Sequence, residues 1–483
     1  MTEAAAMAVP QVARPRRRWL WRAGWATLCL VGAVVGFWTW SYYSALSERD
    51  ALIAEIQTKG QPVWWWDVAD RRLEKSNDGT GAPLYLEGID ELGGETNPRK
   101  LRRPTQQWTD EVEPNKFLPR VDPRVENEVQ LSAPALAILE RSAALPPGRI
   151  IQALRNGEPV SIILSQVQDM RRVQRACHWT SFDALVKGDA KRAYHATWLA
   201  MAVSEQLANE PFVVAQLVRI VVLSEAVDQL AMCLSWAPVP EADFTALDAV
   251  LSKWDDGFSL KETLVCERAM WLTTVGQPNV GWILTMGSRR AATLNGFNRA
   301  LEGALLDLIG SKAGRPITLR AQAQFIEAFN QLASRVDDPA ADLSGIEKEA
   351  EELDRKNVLG RVTGEPKSSG IGWLAKLSVN CAKVHRKLVL ARLALRLRRY
   401  YNQHGRLPKE LEEICDKQMP RIRNEWFKGR PIEYAASATG FRLETMEPIW
   451  ITSGSESKEG RATDEHGMRI EFKGAGGPKR EAR

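Results

Sequence analysis

The chain has 483 residues, of which 44% are hydrophobic and 26% are charged. This balance is typical of globular proteins and excludes wholesale disorder, a collagen and a multi-pass membrane protein. Most of the net charge of +5 lies near one end, because residues 1–47 hold five arginines and one glutamate. The rest of the chain is nearly neutral, so we expect no nucleic acid among its partners.

Residues 23–47 predict a transmembrane helix. They carry no formal charge, and about 20 such residues suffice to cross the hydrocarbon core of a bilayer. Side chains that favour the headgroup layer flank the stretch, namely Trp19, Trp21, Trp25, Trp38, Trp40, Tyr42 and Tyr43. The preceding arginines predict a cytoplasmic basic tail over residues 1–22 and an extracytoplasmic, periplasmic body in the inner (cytoplasmic) membrane. A cleaved signal peptide is the alternative, but residues 40–46 lack the small side chains that cleavage requires.

Residues 48–127 are predicted to form a stalk. Residues 48–58 continue the transmembrane helix in a polar register, and Gly60 and Pro62 break it. From residue 63 to 127 the chain is rich in Gly, Pro and charge, which predicts irregular structure with short apolar islands that pack on the body.

The most unusual feature of the stalk is the run Trp64, Trp65 and Trp66. Clustered tryptophans are typical of interfaces, so these three are candidates for binding a partner or the membrane surface. The preferred interpretation is that they fill a groove on the body.

Residues 128–357 show apolar positions at helical spacing, separated by Gly, Pro and Asp breaks. The stretch 212–230 is apolar over most of its circumference, which predicts a central helix. Short loops between the helical runs predict antiparallel hairpins. The turn at Gly188 and Asp189 resembles that of tetratricopeptide repeats, so we expect a TPR-like helical-hairpin domain.

Residues 373–401 predict a long helix that carries eight cations and no acid between positions 376 and 399. Arg392, Arg396 and Arg399 on this helix are candidates for contact with an acidic partner or anionic headgroups. The preferred interpretation is that the charges of this face pair with acidic segments of the same chain, such as residues 347–354. Alternating segments after residue 431 predict a small antiparallel sheet, and residues 474–483 a flexible tail.

A sequence motif follows this helix at residues 400–414, which read Tyr-Tyr-Asn-Gln-His-Gly-Arg-Leu-Pro-Lys-Glu-Leu-Glu-Glu-Ile. With the later Gly-Arg-Pro-Ile-Glu-Tyr and Gly-Phe-Arg-Leu, it resembles the globular end of type II secretion pseudopilins. Gly405 permits the left-handed conformation that caps the long helix, and Pro408 opens the next one. The resemblance implies a small α+β module over residues 372–473. The chain lacks the pseudopilin N-terminus, so processing as a pilin is not implied.

A wider resemblance rests on residues 60–62, 82–85, 184–193, 210–219 and 266–269. These stretches are similar to an uncharacterised bacterial family of single-span membrane proteins with an extracytoplasmic helical body, often ending in the same pseudopilin-like module. The resemblance implies the architecture and no chemistry.

Few residues are candidates for chemistry. Five cysteines lie outside the predicted span, none at a Cys-x-x-Cys spacing, and we expect no metal site. Cys177 with His195 across a hairpin is open to nucleophilic catalysis, but buried packing is the preferred interpretation. Glu267, Arg268 and Arg219 predict a shared structural ion-pair network, with a ligand-binding carboxylate as the alternative. No nucleotide or hydrolase motif occurs, so we expect no catalysis and no cofactor.

Together these patterns predict a mainly α protein: a transmembrane helix, a helical-hairpin domain over 128–357 and a small α+β module over 372–473. The function that they favour is a membrane-anchored scaffold or adaptor that binds other envelope proteins. The alternative is an envelope hydrolase, or a lipid- or glycan-binding protein, with a site between helical hairpins.

Overall fold

A computed structural model provides the fold. It describes residues 17–73, 77–93, 123–150, 159–254, 260–275, 314–335, 371–414, 432–437, 440–444 and 469–473, with Ser311 and Glu352. Residues 1–16 of the predicted basic tail, the predicted tail at 474–483, part of the predicted stalk and parts of the predicted helical domain and α+β module lie outside these residues.

The described part of the chain is mainly helical, as the sequence predicts. Its helices are α1 (Arg17–Thr58), α2 (Trp65–Leu73), α3 (Ala82–Glu91), α4 (Pro123–Ala143), α5 (Pro159–Lys187), α6 (Ala190–Ser204), α7 (Val213–Trp236), α8 (Glu241–Ser252), α9 (Lys261–Val275), α10 (Arg315–Arg335) and α11 (Ile371–His404). Its strands are β1 (Glu433–Ser437), β2 (Gly440–Glu444) and β3 (Arg469–Lys473).

Helix α1 is 42 residues long, which corresponds to about 63 Å. It ends where Gly60 adopts a φ of +63° and its N–H donates to the carbonyl of Gln57. A glycine in this conformation is a common helix stop, because a β-carbon there would be strained. Among the described helices, α1 is the one long and apolar enough to span a membrane, a property that a signal sequence shares.

The two helices that follow α1 fold onto the body. Helices α2 and α3 bury their apolar sides in the main core, where Tyr85 is fully buried. Gly88 lets α3 approach α4, because a β-carbon at this position would lie 2.7 Å from Cγ of Leu139. The irregular structure that we expect in the stalk is therefore wrong for α2 and α3, which are helical and packed. Their Pro and Gly residues stand at a helix start and at a helix crossing, where both are compatible with helical structure.

Helices α5, α6 and α7 pack against one another at the centre of the body. The turn between α5 and α6 is set by Gly188, with a φ of +78°, and by Asp189, whose carboxylate accepts the Arg192 N–H at 3.0 Å. Helix α7 is buried over most of its circumference, including Leu223 and Leu230. This is the helix that the sequence predicts to be central.

Helix α11 belongs to the same core, since it packs on α7 and α8. Its middle is almost completely enclosed, through Leu388, Val389, Leu390, Ala391, Leu393, Ala394, Leu395 and Leu397. These positions cover more than one helix face, so the helix requires neighbours on several sides. The separate module that we expect from residue 372 onward therefore shares its long helix with the body.

The three strands form an antiparallel sheet in the order β1–β2–β3. Tyr434 pairs with Leu443 across β1 and β2, and Phe441 pairs with Phe472 across β2 and β3. Phe441 and Leu443 are buried in the main core. The Tyr434 hydroxyl donates to the carbonyl of Pro408 at 2.9 Å, which ties the sheet to the turn after α11.

Candidate functional site

The three consecutive tryptophans have different environments. Trp65 is buried. Its ring lies 5.3 Å from that of Phe212, and its backbone N–H donates to Oγ1 of Thr273. Trp64 is half-buried and stacks on Trp66 at 5.5 Å, with ring planes 21° apart. Trp66 is 53% exposed. The candidate binding role is therefore wrong for Trp65, which fills the core, while Trp66 presents an open indole face.

The start of α2 fixes this arrangement. The Asp67 carboxylate accepts the N–H groups of Val63 and Trp64, each at 2.9 Å, and so caps the helix. Successive helical side chains then point about 100° apart. The Trp65 side chain consequently points into the core and the Trp66 side chain points outward. The exposed Trp66 ring therefore stacks on the half-buried ring of Trp64.

The arginines of α11 are held by acidic residues of α8. Arg392 and Arg396 both contact Asp248, with Nε–Oδ1 distances of 2.9 Å for each. Arg392 is 4% exposed. Burial alone would raise the pKa of Asp248, but the hydrogen bonds from both guanidinium groups outweigh it and lower this pKa to about 2. The candidate contact of these arginines with an external partner is therefore corrected to an internal tie.

Arg399 belongs to the same α8–α11 contact. Its guanidinium pairs with Glu241 and lies 4.1 Å from the centre of the Phe244 ring. Twelve residues earlier on α11, Lys387 reaches Asp228 of α7 at 2.6 Å. Both α7 and α8 thus supply acids that pair with the basic helix. Residues 347–354, which we name as an example of such a source, lie outside the described residues apart from Glu352.

Glu267, Arg268 and Arg219 do not form one network. The Glu267 carboxylate accepts the Val213 N–H at the start of α7, at 3.3 Å, and a hydrogen bond from the Trp271 side chain. Burial outweighs both hydrogen bonds and raises the pKa of Glu267 to about 7. The carboxyl thus satisfies a helix terminus instead of an arginine.

Arg268 joins three segments of the fold. Its guanidinium donates to Oδ1 of Asn330 on α10, to Oε1 of Gln61 and to the carbonyl of Pro62. Burial lowers the pKa of this guanidinium to about 10. Neutral acceptors therefore hold this buried cation.

Arg219 pairs elsewhere. It donates to both carboxylate oxygens of Glu205, at 3.2 and 3.0 Å, and lies 4.3 Å from the centre of the Trp254 ring. The predicted shared network is thus replaced by separate tethers, because the two arginines and Glu267 meet different neighbours.

The candidate nucleophile is enclosed. Cys177 is fully buried, and burial raises the pKa of its thiol to about 12. His195 lies at the surface, with Nε2 at 3.1 Å from Glu140, and stacks on Trp198. The cysteines at 29, 177, 233 and 381 are free thiols. Within the described residues, no group of three or more His, Cys, Asp or Glu side chains could hold a metal ion.

Gly405 and Pro408 lie at the end of α11. Gly405 has a φ of +67°, and its N–H donates to the carbonyl of Tyr401 at 2.9 Å. The next helical turn is a short 3₁₀ segment at Leu411–Glu413, which begins later than we expect from Pro408. Its start is set by Glu410, whose side chain and that of Glu413 cap each other's backbone.

Sequence reasoning missed Asp248, which pairs with both Arg392 and Arg396. The spacing of acidic residues on one helix and of arginines on another could have indicated this pairing. Glu241 and Asp248 are seven residues apart on one predicted helix, and Arg392 and Arg399 are seven apart on another. Seven residues are two helical turns, so each pair shares a face and the two faces match.

Comparison with known protein families, curated proteins and solved structures finds no match to this chain.

Proposed function

We propose that this protein is a membrane-anchored scaffold or adaptor that binds another envelope protein through the surface around Trp66. The N-terminus is cytoplasmic and the body extracytoplasmic, as the charge distribution before α1 favours. No catalytic role is part of the proposal, because the thiol of Cys177 is buried and protonated and His195 is engaged with Glu140.

The observation that carries the proposal is the exposed Trp66 ring, stacked on a neighbour that is itself fixed to the core. A large apolar ring that is already held in place loses little conformational freedom on binding, which is why tryptophan dominates many interfaces. Trp64 packs against the small cluster of Ile56, Val63, Leu272 and Ile326 that joins α1 to the body. The proposed contact therefore lies where the membrane helix meets the body.

The finer architecture is part of the same proposal. The consecutive packing of α5, α6 and α7 with a tight turn at Gly188 supports TPR-like hairpins. A long helix, a glycine-capped turn and the sheet β1–β3 support a pseudopilin-like α+β module, and with it a partner from a secretion or pilus-like assembly. The secretion link is an analogy at the level of fold.

Site-specific photo-crosslinking in cells tests the binding surface. A photoreactive amino acid at position 66 should give one discrete adduct, identified by mass spectrometry as an envelope protein. The same amino acid at Leu131, which is 57% exposed on α4, serves as the control and should not give this adduct. Co-purification of that partner should be lost with Trp66→Ala, which costs the fold about 1 kcal/mol or less. No adduct at position 66, or the same adduct at both positions, contradicts the proposal.

A further inference from the structure

The exposure of α1 changes abruptly along its length. From residue 21 to residue 40 nearly every side chain is exposed, whereas Ala45 and Ile56 are buried. Between Arg22, the last charge of the basic tail, and Ala45, the first buried position of α1, lie 22 residues, which correspond to about 33 Å. This length is close to the roughly 30 Å of the hydrocarbon core. The helix therefore has little spare length for a stalk between the bilayer and the body.

The neighbour that covers the second half of α1 is α10, since the two helices pack along much of their length. Ile326 of α10 joins the same cluster as Ile56 of α1. Asn330 lies one turn further along α10, and Gln61 lies just beyond the end of α1; both accept hydrogen bonds from the guanidinium of Arg268. The Gln61 N–H donates to the carbonyl of Ile56, so Gln61 lies about one turn beyond Ile56 along the axis of α1. Both segments thus advance together from the first contact to the second, so α10 runs in the same direction as α1.

This direction places the N-terminal end of α10 next to the bilayer. Arg315 is eleven residues before Ile326, and Ala45 is eleven residues before Ile56. The two positions are thus at about the same height, roughly 16 Å closer to the membrane than the cluster. Tyr42 and Tyr43, with the exposed Trp40, lie only two to five residues before Ala45. Aromatic rings at the end of an apolar span mark the headgroup layer.

We infer that the first two turns of α10 rest on the lipid headgroups, with Arg315 and Arg320 contacting lipid phosphate groups. Between residues 315 and 326 these arginines are the only formal charges, and the first acid of α10 is Glu327. The nearest acids of α1, Glu48 and Asp50, lie about 5–8 Å farther from the bilayer than Ala45. The partner of this surface is therefore a phospholipid bilayer, and the body is seated on it at a fixed height. The inference rests on the membrane anchoring in the proposed function and adds the surface by which the body meets the lipid.

Depth-dependent quenching of the full-length protein in lipid nanodiscs tests this contact. A fluorescent non-natural amino acid is placed at one of three exposed positions of α10, Arg315, Glu327 or Ser334. The lipids carry a nitroxide on the headgroup. The three positions differ in height by about 18 and 28 Å. Quenching should be several-fold stronger at position 315 than at 334, with position 327 in between. Equal quenching at all three positions overturns the inference.

An Arg320→Glu variant with the fluorophore at position 315 tests the phosphate contact itself. Quenching should fall with this variant in nanodiscs containing anionic lipid, and it should be unchanged by the control Gln331→Glu near the far end of α10. Full quenching with Arg320→Glu overturns the assignment of this arginine. Failure of the proposed function gives different results: a chain that does not float with the lipid is not anchored, and a missing crosslink at Trp66 removes the partner but not the lipid contact.

Discussion

Glu267 is a buried carboxyl whose protonation state the fold controls. Its side chain is 2% exposed, and burial raises its pKa from 4.5 to about 7. The folded chain binds this proton more tightly than the unfolded chain, so the resulting stabilisation is present below pH 4.5 and is lost as the pH rises through 7. We therefore expect Glu267→Gln to raise the free energy of unfolding at pH 8 by on the order of 3 kcal/mol, and to leave it nearly unchanged at pH 4.

Urea unfolding of the detergent-solubilised protein from pH 4 to pH 8 measures this difference. Glu262→Gln is the matched control, because Glu262 is exposed on the same helix. Its effect should stay within about 0.5 kcal/mol at every pH. If the difference in the free energy of unfolding between Glu267→Gln and the unaltered protein stays constant from pH 4 to pH 8, the carboxyl is not held protonated by the fold.

At the scale of elements, the Asp248 carboxylate of α8 contacts two arginines of α11, Arg392 and Arg396. Replacing Asp248 by Asn removes a negative charge that both guanidinium groups share, and breaking a buried pair in this way typically costs about 3 kcal/mol or more. Glu241→Gln is the control, because its pair with Arg399 is largely exposed, and such pairs contribute about 1 kcal/mol or less. Thermal and denaturant unfolding of both variants should separate them clearly. Equal costs would mean that Asp248 does not tie the two helices.

The same two helices illustrate what the sequence can and cannot predict. Helical periodicity predicts α11, its basic face and a break at Gly405, because these depend on neighbouring residues. The partner of that face is about 150 residues away along the chain, and only tertiary packing decides which acidic helix meets it. The candidate site shows the same limit. A run of three tryptophans is visible in the sequence, but which ring turns outward depends on the cap at Asp67 and on the core around Phe212.

At the scale of the whole molecule, the predicted stalk differs most from the structure, because α2 and α3 are packed helices. The end of α1 near Gly60 agrees with the sequence pattern. The Gly and Pro residues that follow predict irregular structure, whereas in the structure Pro83 lies at the start of α3 and Gly88 at its crossing with α4. The apolar segment of α1 and its polar continuation form one helix, whose second half is part of the packed fold. The total helix content and the apolar span follow from local pattern alone, and the close seating of the body on α1 follows from long-range contacts that a pattern does not contain.

We propose that α1 is retained as the membrane anchor of an extracytoplasmic body. Protease protection combined with carbonate extraction tests this proposal most directly. Full-length protein with a C-terminal tag is expressed. Cells whose outer membrane has been permeabilised and whose inner membrane is intact are then treated with protease. The tag should be degraded from outside, while untreated protein should stay in the membrane pellet after carbonate extraction at its full mass. A soluble product shortened by the first 40 to 50 residues would show a cleaved signal peptide, and a tag protected from protease would place the body in the cytoplasm; either result contradicts the account.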